Sequence, residues 1–451
     1  MSESRSANLT ARMHHPDPRT TVRKITRRLL PIIFIAYVIA YVDRVNLGFA
    51  QLSMGEELGI KAAAYGLAAS IFFIAYFIFE VPSNLLLSKF GARNWITRIM
   101  ISWGLVTVLT GFVTSIEMLY ATRFLLGIAE AGFFPGMIYF LTQWYRSSDR
   151  AKALGWLIFA QPIAFMVGGF FGGLILDNIH WFGLSSWQWV FILTGVPAVL
   201  MGIVVYVKLP DSPQKAKWLT PSESTWLTDA IDAEQGESTE GIKAQLAALK
   251  NPTVLHLSLI HLAFATGSYG FNLFLPLIIK QINPSYSATN IGFTAVIPYF
   301  FAAIGILLSA RLFDRVRHKR LMVAASSMMA AAGLTGAALL KDNPALALVA
   351  ICITACAVFS FLAPFWAIVT LRVSRTQAAV GVAVVNSIGN LGGFFGPYLV
   401  GQNSGGSNVI SGLVAPIAAF VVAAVLIFFL KQAKGPSPAA ERTKEIQESI
   451  R

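Results

Sequence analysis

Long apolar runs recur along this chain of 451 residues, with short polar segments between them. A helix needs roughly 20 apolar residues to cross a bilayer, and each run is about that long. Charged residues make up only 13% of the chain, whereas a soluble domain has about 25%. These features exclude a soluble enzyme and predict an all-α integral membrane protein with twelve transmembrane helices. We place the spans at residues 29–50, 64–87, 95–115, 119–143, 151–176, 187–208, 253–279, 288–310, 321–340, 345–370, 376–400 and 408–430.

The distribution of basic side chains predicts how the chain is oriented in the membrane. Thirty of the 35 Arg and Lys residues lie in the two tails, or within or next to every second loop, which places them on one face of the membrane. Three others, Lys61, Lys280 and Lys341, lie on the opposite face. Loops rich in Arg and Lys stay in the cytoplasm. We therefore expect both termini in the cytoplasm and the protein in the cell inner (cytoplasmic) membrane. The net charge of +13 then reflects orientation, and nucleic acid is not an expected partner.

A repeated glycine-rich segment divides the chain into two halves. Gly168-Gly-Phe-Phe-Gly172 falls in the fifth span and Gly392-Gly-Phe-Phe-Gly396 in the eleventh, each after a basic loop. Repeats of this kind predict two pseudo-symmetric six-helix bundles with a substrate site between them, near the middle of the membrane. We predict a cytoplasmic N-tail at 1–28, bundles at 29–208 and 253–430, a cytoplasmic linker at 209–252 and a cytoplasmic C-tail at 431–451. Inside the linker, Thr220-Pro-Ser-Glu223 has the pattern of a capped helix start.

Two adjacent charges, Asp43 and Arg44, stand inside the first span. An ionised side chain near the centre of a span costs about 2.5–3.5 kcal/mol, so such residues usually face a bundle interior or a water-filled cavity. Arg44 shares a helix face with Tyr37 and Tyr41. The alternative interpretation is a structural ion pair, or a pair that reaches out to the membrane surface.

Further polar side chains lie within other spans, and the two halves differ. The first half holds all the buried charge, and the second half is polar but uncharged there. The charged set is Asp43, Arg44, Glu80, Arg123 and Glu130; the uncharged set is Gln161 in the fifth span, with Tyr269, Asn272, Trp366, Asn386 and Asn390 in the second half.

The chemistry of these side chains suggests separate roles for them. An arginine can grip a carboxylate with two parallel hydrogen bonds, so Arg44 is the candidate ligand for an organic anion. A carboxyl group in a low-dielectric interior can exchange a proton when its surroundings change, so Asp43 and Glu130 are candidate proton carriers. Arg123 is expected to pair with a carboxylate. For Glu80, transport and a packing or gating role both stay open.

Other classes of site find little support. Cys352 and Cys356 lie in one apolar run and no further cysteine accompanies them, which predicts neither a disulfide nor a thiolate metal site. No intramembrane cluster has metal-ligand spacing, and no glycine-rich loop suited to phosphates occurs in the polar segments. We therefore expect no metal, no cofactor and no enzymatic activity, and a proton gradient as the energy source.

Several motifs together carry a resemblance to a known family. They are Tyr41-Val-Asp-Arg-Val-Asn46, Tyr76 with Glu80-Val-Pro-Ser-Asn84, Phe90-Gly-Ala-Arg93, Arg123-Phe-Leu-Leu-Gly-Ile-Ala-Glu-Ala-Gly-Phe-Phe-Pro135 and Asn386-Ser-Ile-Gly-Asn390. The chain resembles the major facilitator superfamily over nearly all of 29–430, and within it the anion:cation symporters that carry organic acids with protons.

The resemblance implies roles for individual residues. It implies proton coupling through Asp43 and Glu130 with Arg123 as a partner. The chain departs from the superfamily pattern in the loop between the second and third spans, which usually contains an aspartate and here has Ser88-Lys89. The contact that this aspartate would make at the gate is therefore in question. The substrate contacts that the resemblance implies are Arg44, Tyr41, Tyr76, Gln161, Trp366 and Asn386, to which we add Asn390.

The leading hypothesis is a monomeric, proton-coupled symporter that imports a small organic carboxylate by alternating access. A sugar acid, a tartrate-like acid or an aromatic acid would each suit such a site. The alternative is an antiporter of an organic anion or organophosphate without proton coupling. That protein would use two arginines facing the cavity and would need no essential carboxyl group.

Overall fold

The computed structural model describes residues 17–235, 251–316, 318–372, 378–406 and 408–430. The start of the predicted N-tail, residues 236–250 of the predicted linker and the predicted C-tail lie outside the described residues. The side chains of Ser88 and Asp314 lie outside them too.

The first half of the chain forms seven helices and ends in an eighth that belongs to the linker. They are α1 (Pro18–Glu57), α2 (Ala62–Phe90), α3 (Ala92–Thr110), α4 (Ile116–Glu130), α5 (Phe133–Trp144), α6 (Ser147–Asn178), α7 (Ser186–Lys208) and α8 (Pro221–Gln235).

The second half forms a further eight helices. They are α9 (Pro252–Ile282), α10 (Ala288–Arg315), α11 (Lys319–Leu339), α12 (Pro344–Arg372), α13 (Ala378–Asn390), α14 (Gly392–Asn403), α15 (Val409–Gly412) and α16 (Val414–Phe428).

These helices coincide with the twelve predicted spans. Within the described residues, ten helical segments are long and apolar enough to cross a membrane, counting α4 with α5 and α15 with α16 as one each. The two other predicted spans correspond to α3, which carries Arg93 and Arg98, and to the pair α13 and α14, which are 13 and 12 residues long. The protein is thus an all-α, multi-pass membrane protein.

The two halves begin with the same local signal. Asp17 caps α1 by accepting a hydrogen bond from the backbone N–H of Arg19, and Asn251 caps α9 by accepting one from Thr253. In both helices a proline follows the cap, where its missing N–H costs nothing. This parallel adds a second internal likeness to the glycine repeat.

The predicted fourth span is broken directly after Glu130. Ala131 has an extended backbone, and Gly132 has φ +85°, a left-handed conformation that favours glycine. The hydroxyl of Ser83 on α2 donates to the freed carbonyl of Ala131 at 2.6 Å. The break therefore has its own hydrogen-bond partner, and it sets Glu130 at the end of α4.

The halves meet chiefly where α6 packs against α10 and α2 against α14. At the first contact, a Cβ on Gly292 would stand 2.4 Å from the carbonyl oxygen of Gly169, and a Cβ on Gly66 at the second would stand 2.4 Å from that of Pro397. Backbone lies on backbone at both places. Asp177 at the end of α6 also accepts hydrogen bonds from the N–H groups of Ala288 and Thr289, so it caps α10 from the other half.

The helix predicted inside the linker is confirmed. Thr220 and Glu223 form the reciprocal cap that the sequence indicates, with Glu223 N–H donating to Thr220 Oγ1 and Thr220 N–H donating to Glu223. Lys24 of α1 contacts Glu223 at 2.7 Å. These contacts hold α8 against the start of α1.

Candidate functional site

Arg44 and Glu130 form a buried ion pair that joins α1 to α4. The guanidinium donates to Glu130 Oε1 from Nε at 3.0 Å and also from Nη2. The side chain of Glu130 is 1% exposed and that of Arg44 is 15% exposed. The sequence identified both residues as candidates for the site but did not predict that they form a pair. Arg44, the predicted anion ligand, is therefore already engaged by a carboxylate of the protein.

Aromatic rings surround the guanidinium of Arg44. Its central carbon lies 4.8 Å from the centre of the Tyr41 ring, 5.7 Å from that of Phe72 and 5.9 Å from that of Tyr76. Gln161 of α6 donates to the hydroxyl of Tyr41 at 2.8 Å. Cation–π contacts hold the charge without consuming its N–H donors. Aromatic and polar side chains of the first half thus surround the Arg44 guanidinium.

Asp43 points away from Arg44 and is held by a different set of residues. It is 1% exposed and accepts a hydrogen bond from Asn46 at 2.9 Å. Asn46 also donates to Thr194 of α7. An outward-reaching pair is therefore not what the structure shows, because the Asp43 side chain is buried.

The structure differs from the sequence prediction at Arg123. It was expected to pair with a carboxylate, but among the described residues it has none within ion-pair distance, and Glu130 of the same helix is paired with Arg44. Arg123 is 4% exposed and lies 5.4 Å from the centre of the Phe72 ring. Its charge acts on Asp43 at longer range. Helix spacing placed Arg123 and Glu130 on one side of α4, but the register between helices decided the pairing.

The four charges of this cluster, Asp43, Arg44, Arg123 and Glu130, sum to zero. Each is 5% exposed or less, except for the partly open Arg44. An unpaired charge in such a place costs several kcal/mol. Equal numbers of acidic and basic side chains leave the cluster without a formal net charge.

The second half supplies uncharged polar side chains, and one of them, Tyr269, reaches the Arg44 cluster. Tyr269 of α9 interacts with the Arg44 charge and packs its ring against Phe73 at 4.6 Å. The Nε1 of Trp366 and the side-chain amides of Asn386 and Asn390 have no hydrogen-bond partner in the described part of the chain, and none of these groups is sealed from open space. Free donors and acceptors facing open space are what a polar ligand needs.

Two further buried residues of this region are Glu80, for which the sequence left a transport role and a packing or gating role open, and His261. Glu80 is 4% exposed and accepts a hydrogen bond from Ser387 of α13 at 3.3 Å, across the two halves. His261 of α9 packs its ring against Trp366, with ring centres 5.1 Å apart. Neither contact follows from spacing along one helix, because each joins elements that are distant in sequence.

A groove of 720 Å³ is lined by α1, α6 and α7. Its lining is mostly apolar and reaches the polar set only at Asn46 and Thr194. Between the halves, a cavity of 10 Å³ is lined by residues of both, including Asn272 and Tyr299. The polar atoms around Arg44, not the large groove, therefore define the candidate site.

Comparison with known proteins finds a matching family and relatives that are named as transporters. The sequence pattern of the family described as Major Facilitator Superfamily matches residues 33–397. A protein of Acinetobacter baumannii named "Quinolone resistance transporter" is 42% identical over 85% of this chain and 88% of its own. One of Agrobacterium vitis named "Putative tartrate transporter" is 39% identical over 94% and 93%.

The fold has relatives among solved structures as well. A bacterial homologue of the human lysosomal transporter Spinster, in an inward-facing and occupied conformation, superposes with a TM-score of 0.73. That match covers 89% of this chain and 96% of the other at 18% sequence identity, so it supports the fold alone.

Proposed function

This chain belongs to the major facilitator superfamily, and from that premise we propose that it is a proton-coupled symporter that imports a small organic carboxylate. Like its relatives, the protein is a membrane transporter and not an enzyme, and it crosses the membrane several times. We place it in the inner membrane as a monomer, with both termini in the cytoplasm.

The Arg44–Glu130 ion pair is the observation that carries the proposal. A substrate carboxylate and Glu130 compete for the same guanidinium, and a buried carboxylate that loses its partner is costly. A proton on Glu130 removes that cost and frees the Arg44 donors for the substrate. Binding of the anion and binding of the proton thus favour each other, which is the thermodynamic requirement for symport.

Charge balance supports a ratio of one proton to each substrate charge. The empty cluster is neutral, and a carboxylate that enters with one proton leaves it neutral again. A second proton on Asp43 would leave a positive charge in a buried place unless the substrate carries two negative charges. Asp43, held by Asn46 and near the charge of Arg123, serves in this mechanism as the second carboxyl.

The polar atoms of the second half complete the site in this proposal. Tyr41, Tyr76 and Gln161 contact the substrate near its carboxylate. Trp366, Asn386 and Asn390 bind the rest of the molecule through the groups that have no protein partner in the described chain. Since these two sets of residues belong to different halves, a bound substrate draws the halves together, as alternating access requires.

The names of relatives support an organic acid but differ in detail. The 39% identical relative is named for tartrate, which is a carboxylate, and the 42% identical relative is named for quinolone resistance. The second name favours an alternative, proton-driven export of an organic compound. An antiporter without proton coupling is the other candidate, and the buried Arg44–Glu130 pair argues against it because the anion ligand would then be permanently occupied.

Uptake into proteoliposomes tests the proposal. A panel of labelled carboxylates is offered with and without an inward proton gradient to wild type, Glu130→Gln and Arg44→Ala. We expect one acid to accumulate only with the gradient, Glu130→Gln to lose accumulation but keep exchange, and Arg44→Ala to lose both. Accumulation that does not depend on the gradient and persists in Glu130→Gln would identify an exchanger. Outward movement of the substrate driven by the gradient would identify an exporter.

Glu117→Gln is a matched control for Glu130→Gln. Glu117 lies in the first turn of the same helix, α4, and is exposed. The same change of charge outside the cluster is expected to leave both accumulation and exchange unchanged.

A further inference from the structure

The groove between α1, α6 and α7 takes no part in the proposed transport site. Its volume is 720 Å³, within the roughly 300–1,000 Å³ of typical ligand pockets. Its lining includes Val38, Phe171 and Leu193, and no charged side chain of the described chain lines it. Phe171 is 54% exposed and Leu193 37%. Both lie on helices long and apolar enough to span the membrane, and lipid tails are as apolar as leucine. The groove is therefore accessible to a molecule dissolved in the membrane.

Three polar side chains line the groove: Asn46, Thr194 and Asn178, the last of them exposed at the end of α6. Asn46 donates to Asp43 at 2.9 Å and to the hydroxyl oxygen of Thr194 at 3.0 Å. An amide nitrogen carries two hydrogens, so no donor of this side chain remains. Its oxygen, Oδ1, is buried and has no hydrogen-bond partner in the described part of the chain.

The hydroxyl of Thr194 has no donor to spare either. It donates to the backbone carbonyl of Val190 at 2.8 Å and accepts from Asn46. A hydroxyl oxygen has two lone pairs, so one acceptor position is left. Where the groove meets Asn46 and Thr194, the protein thus offers acceptors without donors. A ligand that pairs with these side chains has to bring the donor itself.

The surroundings favour a donor that carries no charge. An ammonium group in the groove would be a buried charge with no carboxylate among the lining residues, and a buried charge without a partner is costly. A hydroxyl group supplies a hydrogen without a charge. A buried acceptor with no partner also carries a free-energy cost, which a hydroxyl donor would remove. The groove therefore suits an apolar molecule with a hydroxyl group.

We propose that this groove binds a neutral alcohol from the membrane, with its apolar body against α1, α6 and α7 and its hydroxyl donating to the acceptors that Asn46 and Thr194 leave free. The site is separate from Arg44 and requires neither a carboxylate substrate nor a proton gradient. Asn46 connects it to the coupling site of the proposed function, because the same amide that faces the alcohol holds the Asp43 carboxyl.

Photolabelling of the full-length protein in nanodiscs tests the site. The probe is octanol with a diazirine on its chain, and its matched control is octane with the same diazirine. Labelled positions are mapped by mass spectrometry, and plain octanol or octane competes at equal concentration in the membrane. No transport substrate is needed, so the result is independent of the uptake experiment.

Two tryptophan variants on α7 show whether the label reports on the groove. Leu193→Trp fills the groove from an exposed position of its lining, whereas Leu200→Trp adds the same ring at an exposed position outside the lining. Asn46→Leu removes the free acceptor at a similar side-chain volume. Because this change also takes a donor from the buried Asp43, the tryptophan pair is measured independently of it.

We expect the octanol probe to label the segments that line the groove in a saturable way, and octanol to compete about fivefold or more better than octane. Leu193→Trp should reduce this labelling about tenfold, Leu200→Trp should leave it unchanged, and Asn46→Leu should abolish the preference for octanol. Labelling spread evenly over the spanning helices, or unaffected by Leu193→Trp, would overturn the site. Equal competition by octanol and octane in wild type would overturn the hydrogen bond and with it the proposal.

Discussion

Arg44 donates hydrogen bonds from both Nε and Nη2 to a single oxygen of Glu130, Oε1. The second oxygen, Oε2, is buried and has no hydrogen-bond partner in the described part of the chain. The pair is thus one-sided. A carboxylate that uses only one of its oxygens is easier to displace than a fully bonded one. This geometry suits a pair that has to separate in each transport cycle.

Removal of the charge on Glu130 should destabilise the empty protein. In Glu130→Gln the Arg44 charge loses its counter-charge, and loss of one partner of a buried pair costs about 3–5 kcal/mol. A bound carboxylate replaces the missing charge, so the substrate should raise the Tm of the variant more than that of wild type. Thermal unfolding with and without substrate measures this. An equal Tm shift in both proteins would contradict the exchange of partners.

The guanidinium group of Arg44 should be required, beyond its charge. Lysine keeps the charge but offers no planar fork for a carboxylate and stacks less well on Tyr41 and Tyr76. We expect Arg44→Lys to weaken substrate binding about tenfold or more. Direct binding measurements decide the matter, and a Lys variant with wild-type affinity would show that a point charge suffices.

An alanine at Gly292 should open the contact between α6 and α10. Its Cβ would stand 2.4 Å from the Gly169 carbonyl oxygen, so the helices have to separate, at a cost of about 1–3 kcal/mol. A cysteine at Ala295, buried near this contact, should then react faster with a membrane-impermeant thiol reagent, in a background without the native cysteines.

Gly155→Ala is the control for the Gly292 experiment. Gly155 lies on α6, one of the two helices of that contact, but a Cβ there meets nothing within 4 Å. In the Gly155→Ala variant, the cysteine at position 295 should be labelled at the same rate as in the parent protein. Equal rates in Gly292→Ala too would mean that the glycine contact does not hold the halves together.

The contact between α8 and α1 should depend on pH in the acid range. Partial burial acts to raise the pKa of Glu223, but hydrogen bonds from Lys24 and Thr220 outweigh it and lower that pKa below its ordinary value. A carboxyl group with a lowered pKa stabilises the folded state above its unfolded pKa of about 4.3 and loses that contribution as the pH falls through the lower, folded value.

Protease cleavage within α8, followed from pH 7 to pH 3, measures this dependence. Wild type should become more susceptible in the acid range, and Glu223→Gln should be susceptible throughout with little further change. A surface pair contributes about 1 kcal/mol or less, so the effect is small. Parallel pH profiles for the two proteins would assign the acid effect to other groups.

Much of the architecture could be predicted because it is encoded locally. A span is an uninterrupted apolar run, and the predicted 187–208 compares with Ser186–Lys208 in the structure. The breaks after Glu130 and at Leu391 were not located, because a helix can continue through glycine unless tertiary contacts stabilise another conformation. At the first break, that contact comes from Ser83 on a neighbouring helix.

The site was predictable as a set of residues but not as a set of contacts. Ionisable side chains within apolar runs are conspicuous, and Asp43, Arg44, Arg123 and Glu130 were all found that way. Which arginine meets Glu130 depends on the relative register of α1 and α4, which no spacing along one helix specifies. The contacts of His261 with α12 and α13 escaped the sequence for the same reason, because they join different helices.

The neutrality of the four-charge cluster has a consequence for energy coupling. An elementary charge that crosses the membrane gains or loses about 2.3 kcal/mol per 100 mV. A cluster that is neutral both when empty and when loaded with one proton and one monoanion moves no net charge in either direction. Membrane voltage would then leave the accumulation ratio unaffected, and the pH difference alone would set it. Such a carrier would keep working in a cell whose electrical potential has collapsed, as long as an acid exterior remains.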